Sequence, residues 1–182
     1  LTTLKGHTDT VSGAWFGPEA RTIITGSADG TARGWDGISG TELARLPGHD
    51  GGVAYVSLSK DGTRAITTAK SGAIRVWDWQ SDTVRATIAA YGKGVWAPSL
   101  NDDGSGLVSR DGGKHAHLWN AATGAHLAEL TTLSNIIPAF YAGGQMLLVI
   151  PVYAFEGNVE GLSVWNAVDG KLTAGVTGLD AV

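Results

Sequence analysis

The chain has 182 residues, of which 43% are apolar and 16% charged, a balance typical of folded globular proteins rather than disordered ones. A net charge of −4 argues against nucleic-acid binding, which usually needs a basic stripe, and the absence of any run of about 18 apolar residues predicts no membrane-spanning helix. The chain contains no cysteine, which excludes disulfides, thiolate metal sites and a cysteine nucleophile.

Four tryptophans recur at spacings of 42, 42 and 46 residues, and each is followed by Asp or Asn. They are Trp35, Trp77, Trp119 and Trp165. A Gly-His pair begins 29 residues before each of the first two, at Gly6 and Gly48. A repeat of about 40 residues indicates one supersecondary unit that is copied and stacked, because a single unit cannot cover its own apolar face.

Turn residues at fixed offsets divide each repeat into four strand-length segments. A turn residue follows each tryptophan by five positions, and a second turn closes 15 positions before each of the first three. The second repeat therefore predicts the strands Val53–Leu58, Thr63–Thr68, Ala73–Asp78 and Thr83–Ile88. No long helical periodicity occurs, so each repeat is predicted to form a four-stranded antiparallel sheet.

In chain order, the predicted units are 5–46, 47–88, 89–130 and 131–176. Residues 1–4 precede the first Gly-His pair as Leu43–Leu46 precede the second, and this phase predicts an orphan outer strand that belongs to a preceding unit. Because the chain also begins with leucine rather than methionine, we expect it to be part of something longer.

Gly-His, about 29 residues and then Trp-Asp, repeated in phase, resembles the WD40-repeat family over nearly the whole chain. The resemblance implies an all-β fold, a β-propeller of which this chain supplies four four-stranded blades. Such propellers usually close with seven or eight blades. The missing blades are expected in the same chain, and the alternative is a homodimer that completes an eight-bladed ring.

The resemblance also implies a buried polar network in each blade, made by a third-strand Trp, a second-strand hydroxyl, the His of Gly-His and a turn Asp. In the first blade the matching residues are His7, Thr25, Asp29 and Trp35. The second blade keeps His49, Thr67 and Trp77 but has Ser71 in place of the acid, and we recognise only Trp119 and Trp165 in the later blades. We therefore interpret His7 and His49 as structural.

The sequence offers no convincing catalytic or metal-binding set, so we expect neither an enzyme nor a cofactor. His115 and His117 share one face of a strand and His126 lies a strand away; two such imidazoles could bind a transition metal, but no third ligand has convincing spacing. Asp102 and Asp103 lie in a glycine turn, where solvated carboxylates are ordinary. No serine lies in the Gly-x-Ser-x-Gly pattern of a nucleophile elbow.

The resemblance implies a non-catalytic platform, expected in the cytoplasm, that binds protein or peptide partners and neither nucleic acid nor membrane. A regulatory or sensor segment of a larger signalling or ATPase protein is an alternative, and an enzyme that uses the central channel is another. By position in the family, the binding rim would comprise Thr8, Thr10, Asp50, Gly52, Lys70, Lys93 and Lys114, with Tyr153 and Phe155 on a loop lengthened by six residues. Trp15 and Trp96 are expected to pack on innermost strands, and a partly exposed Trp79 is an interface candidate.

Overall fold

The computed structural model describes residues 2–89, 96–111, 115–131, 136–141, 144–151, 163–169 and 171–175. Within them the chain forms sixteen β-strands and two short 3₁₀ turns, Pro18–Ala20 and Trp79–Ser81. The strands are β1 (Val11–Phe16), β2 (Thr22–Ser27), β3 (Ala32–Asp36), β4 (Glu42–Leu46), β5 (Val53–Leu58), β6 (Ala65–Ala69), β7 (Ile74–Asp78), β8 (Thr83–Ile88), β9 (Trp96–Leu100), β10 (Gly106–Arg110), β11 (His115–Asn120), β12 (His126–Thr131), β13 (Ile136–Tyr141), β14 (Met146–Pro151), β15 (Ser163–Asn166) and β16 (Leu172–Gly175). No helix among these residues is long and apolar enough to cross a membrane.

The strands form four antiparallel sheets, and each sheet contains four consecutive strands in chain order. This confirms the predicted all-β architecture, and the four sheets form no closed ring. In the second sheet β6 begins at Ala65, two residues later than predicted. The reason is the turn: the amide and hydroxyl of Thr63 both donate to Asp61 Oδ1, at 3.0 and 2.9 Å, which holds Thr63 in the turn.

The four tryptophans occupy the same register position in the four sheets. In each sheet the tryptophan pairs with an apolar residue of the second strand: Trp35 with Ile23, Trp77 with Ala65, Trp119 with Leu107 and Trp165 with Leu147. The pairing of the third and fourth strands shifts register immediately before each tryptophan. A shared local irregularity at a shared position shows that the sheets are structural copies of one another.

Three apolar clusters lie between neighbouring sheets. The first joins residues of the first and second sheets, among them Leu46 and Val53, and the second joins the second and third sheets through residues such as Val76 and Leu107. The third contains Leu130 and Leu147 and joins the third and fourth sheets. Burial of apolar surface therefore stabilises the stack only because each sheet covers the next.

Trp79 lies inside the first of these interfaces, so the prediction that it is partly exposed is wrong. Its side chain is only 1% exposed, and its indole Nε1 donates to the carbonyl of Gly62 at 2.9 Å. Its ring lies against Gly34 of β3, where a Cβ atom would come within 2.4 Å of the tryptophan Cζ3. The glycine of one repeat thus makes room for the tryptophan of the next.

One face of the first sheet has no covering sheet among the described residues. Trp15 lies on β1 as expected, but it is 46% exposed, and Phe16 is 62% exposed. Leu58, which is 42 residues after Phe16, is only 7% exposed because the first sheet covers it. Trp96 lies on β9, and its side chain is outside the described residues.

Residues 2–6 run beside the first sheet without forming a strand. A Cβ atom at Gly40 would meet Thr2 and Leu4, just as one at Gly124 would meet Ala86 of the outer strand β8. The segment therefore has the position of an outer strand from a preceding sheet, and its assignment to such a strand stays a prediction.

Candidate functional site: polar networks and the loop rim

The first sheet contains a chain of hydrogen bonds between four side chains. The indole Nε1 of Trp35 donates to Thr25 Oγ1 at 2.8 Å, and this oxygen lies 2.8 Å from His7 Nε2. His7 Nδ1 lies 2.9 Å from Asp29 Oδ2. Since a carboxylate can only accept, His7 donates through Nδ1, and in the neutral tautomer with that proton Nε2 accepts from the threonine hydroxyl. Each buried polar group is thereby satisfied by the next.

Asp29 anchors this network to the surrounding loops. Its carboxylate accepts from the Thr8 amide at 3.0 Å and from both the amide and the hydroxyl of Thr31, at 2.9 and 2.6 Å. Burial alone would raise the pKa of Asp29, but the hydrogen bonds from Thr31, Thr8 and His7 outweigh it and hold that pKa well below its usual range. Asp29 is therefore ionised at neutral pH and is a poor proton acceptor.

The second sheet keeps the inner part of the network. Trp77 Nε1 donates to Thr67 Oγ1 at 2.8 Å, and His49 Nε2 lies 2.6 Å from the same oxygen. Ser71 occupies the position of Asp29. Burial, with a smaller effect from the Arg75 charge, lowers the pKa of His49 to about 4, so this imidazole is neutral at pH 7.

The third sheet also has the inner bond, through a residue that the sequence analysis missed. Trp119 Nε1 donates to Ser109 Oγ at 2.9 Å, and Ser109 is only 3% exposed. Ser109 follows Thr67 by the same 42 residues that separate Thr67 from Thr25, so this spacing was a usable signal. In the fourth sheet Trp165 is partly buried against the third apolar cluster.

Comparison with known families agrees with this arrangement. The WD40 family model, described as WD domain, G-beta repeat, matches residues 1–36 and 40–78. These two matches support a WD-repeat family for the chain. A search of curated proteins gave no match.

The loop rim of the first two WD40 blades is held together by backbone hydrogen bonds. The Ala28 amide donates to Thr10 at 2.9 Å, and the His49 amide of the second blade donates to Gly30 of the first at 3.2 Å. The Lys70 amide donates to Gly52 at 3.3 Å. Of the predicted rim residues, Thr8, Thr10, Asp50 and Lys70 lie exposed at this end of the blades, whereas Lys93, Lys114, Tyr153 and Phe155 lie outside the described residues.

Gly52, also predicted to lie on the rim, is buried within it. Its φ is +93°, and a Cβ atom there would come 2.9 Å from the Ala28 Cα. This close approach and the left-handed backbone both favour glycine. Gly52 thus joins two WD40 loops and presents no side chain to a partner.

The described part of these WD40 blades contains no group of three or more His, Cys, Asp or Glu side chains placed to hold a metal ion. The imidazoles of His7 and His49 are hydrogen-bonded within the polar networks of their own blades. What the arrangement offers is a rigid frame with exposed polar loops at one end.

Proposed function

We propose that this chain is a non-catalytic platform that binds protein or peptide partners through the rim formed by Thr8, Thr10, Asp50 and Lys70. WD40 repeats generally act as protein-interaction scaffolds. The observation that carries the proposal is the fixing of the rim loops. One backbone hydrogen bond joins the two blades, others hold the loops within each blade, and the Thr8 amide joins the rim to the first network. A fixed loop binds with a smaller loss of conformational entropy than a free one.

The charges on the rim support a polar partner. Asp50 and Lys70 are exposed and opposite in sign, and Thr8 and Thr10 lie on the loop that precedes β1. Rim charges of both signs favour a partner segment with complementary charges and disfavour one with a single sign. We place this interaction in the cytoplasm.

The experiment compares two double charge reversals that each leave the net charge unchanged. Asp50→Lys with Lys70→Glu alters the proposed rim, and Lys60→Glu with Asp102→Lys alters an exposed ion pair of 2.9 Å at the opposite end of the blades. Partners are captured by cross-linking and mass spectrometry and then tested as purified proteins. We expect at least one direct partner to bind the wild type and the Lys60/Asp102 variant but not the Asp50/Lys70 variant. Equal binding to all three proteins would contradict the rim.

We also propose that a further blade covers the exposed face of the first sheet, supplied by the same protein or by a second copy. The support is the repeat itself, since Val11 and Phe16 are half or more exposed while their counterparts Val53 and Leu58 are buried under a neighbouring blade. If a second copy supplies the blade, light scattering should give a dimer mass that Phe16→Glu abolishes. Leu43→Glu, on an outer strand and 51% exposed, is the control and should remain dimeric. A monomeric wild type would exclude the second copy.

A further inference from the structure

The third blade places two histidines where the first blade has an ion pair. Arg33 on β3 and Glu42 on β4 form a bond of 2.7 Å between Nη1 and Oε2. Their counterparts, 84 residues later, are His117 on β11 and His126 on β12. His117 Nδ1 lies 3.3 Å from His126 Nε2. An attractive pair of opposite charges is thus replaced by two groups that are both metal ligands.

We propose that His117 and His126 form a two-imidazole site for a divalent transition metal such as Zn²⁺ or Cu²⁺ on the third blade. Two nitrogens that each lie about 2.0–2.1 Å from a tetrahedral zinc are ~3.4 Å apart. The two nitrogens are hydrogen-bonded at 3.3 Å, which is close to that value, so a metal ion could replace the shared proton without movement of the strands. This inference is independent of the proposed partner-binding rim, which lies on loops of the first two blades.

His117 is buried and His126 is exposed, so a metal ion held between them would be reached from the solvent side of His126.

A carboxylate lies beside the proposed site. Glu129 is the cross-strand partner of His117, and its carboxylate lies 2.9 Å from His115 Nδ1. This places a carboxylate on the strand beside His117, where its charge favours a cation, while its own hydrogen-bond partner is His115 and neither proposed ligand. Because the described residues provide no third ligand in place, water completes the coordination around the exposed His126.

The test is titration of the untagged protein with ZnCl₂ and, separately, CuCl₂, followed by calorimetry. His117→Arg with His126→Glu restores the ion pair of the first blade, and His126→Gln removes one exposed ligand with little risk to folding. We expect one ion per chain for the wild type, at least tenfold weaker binding for both variants, and nitrogen coupling in the Cu²⁺ electron paramagnetic resonance spectrum that both variants lose.

A reciprocal variant sharpens the test. Arg33→His with Glu42→His builds the same pair in the first blade and should raise the stoichiometry to two ions per chain. Circular dichroism identifies any variant that fails to fold, and His126→Gln then decides the question. Absence of binding to the wild type, or equal binding to His126→Gln, overturns the proposal and leaves adventitious surface binding only.

Discussion

The first and third blades contain the same indole–hydroxyl bond and surround it differently. Trp35 donates to Thr25 at 2.8 Å and Trp119 donates to Ser109 at 2.9 Å, from the same register position. In the first blade the Thr25 hydroxyl also contacts His7, which in turn contacts Asp29. The tryptophan–hydroxyl bond and the strand register are common to both blades, whereas the polar groups around that bond differ. The repeat therefore constrains the tryptophan–hydroxyl bond more than the polar groups that surround it.

The second blade is intermediate between them, because it has the histidine without the acid. His49 contacts Thr67 at 2.6 Å, and Ser71 stands where the first blade has Asp29. The imidazole is thus buried beside a hydroxyl without a carboxylate hydrogen-bonded to it, and only a small Coulombic effect of Asp50 replaces the acid of the first blade. The first two blades therefore test what the acid adds to an otherwise similar network.

Removal of His7 should have the largest effect. In His7→Ala, Asp29 and Thr25 lose a buried partner, and the free energy of unfolding should fall by about 1–3 kcal/mol. Urea unfolding at pH 7.5 measures the change. His115→Ala is the matched control in the third blade: its ion pair with Glu129 is exposed by 37% and 49%, so its loss should cost under about 1 kcal/mol. An unchanged melting temperature for His7→Ala would contradict the network.

Ser71→Asp should give the second blade the network of the first. A new bond to His49 should stabilise the protein by about 1 kcal/mol, which chemical denaturation would show. In the wild type, unfolded histidine takes up a proton near its ordinary pKa of 6.5, while His49 resists protonation until about pH 4. Stability is therefore fully present above pH 6.5 and is lost as the pH falls toward 4.

The added carboxylate should favour the charged imidazole and so reduce that loss. Ser71→Asn is the control, because it offers a hydrogen bond of similar shape without charge. The slope of stability against pH between 6.5 and 4 should be shallower for the Ser71→Asp variant than for the Ser71→Asn variant. Identical slopes would mean that the introduced carboxylate does not reach His49.

Much of the fold could be predicted because the signals lie within one repeat. The turn residues that follow each tryptophan by five positions include Gly40, Asp82 and Gly124, and all three have positive φ. The burial of Trp79 could not be predicted in this way, because its ring fills the space left by Gly34 in another repeat. Contacts between copies depend on how the sheets stack, which spacing along one repeat does not describe.

The candidate site follows the same pattern: contacts within one repeat were predictable from the sequence, whereas contacts between repeats were not. The inner bonds of Trp35 and Trp77 follow from position in the repeat, and Ser109 would have followed from the same count. Gly52 was placed on the rim by position alone, but the approach of Ala28 from the neighbouring blade buries it. A residue's place in a repeat thus predicts its contacts inside the blade better than its accessibility.

The smallest expected effect concerns the turn between the first two strands. The second and third blades have Gly62 and Gly104 there, with φ of +72° and +68°, whereas the first blade has Ala20 with φ of +53°. A left-handed backbone costs a residue with a Cβ atom about 1–2 kcal/mol. Glycine removes this cost but adds conformational entropy to the unfolded chain, so Ala20→Gly should stabilise the protein by only about 0.5 kcal/mol.

Gly124→Ala provides the reciprocal measurement at a turn where space is not the obstacle. Its φ is +72°, and a Cβ atom there would have its nearest neighbour at 3.5 Å, an ordinary contact distance. The change should therefore destabilise the protein through the backbone alone, by an amount similar to the gain from Ala20→Gly. Calorimetric melting of both variants gives the two shifts. If Ala20→Gly lowers the melting temperature as Gly124→Ala does, then Ala20 does not adopt the left-handed backbone that Gly62 and Gly104 have in the corresponding turns.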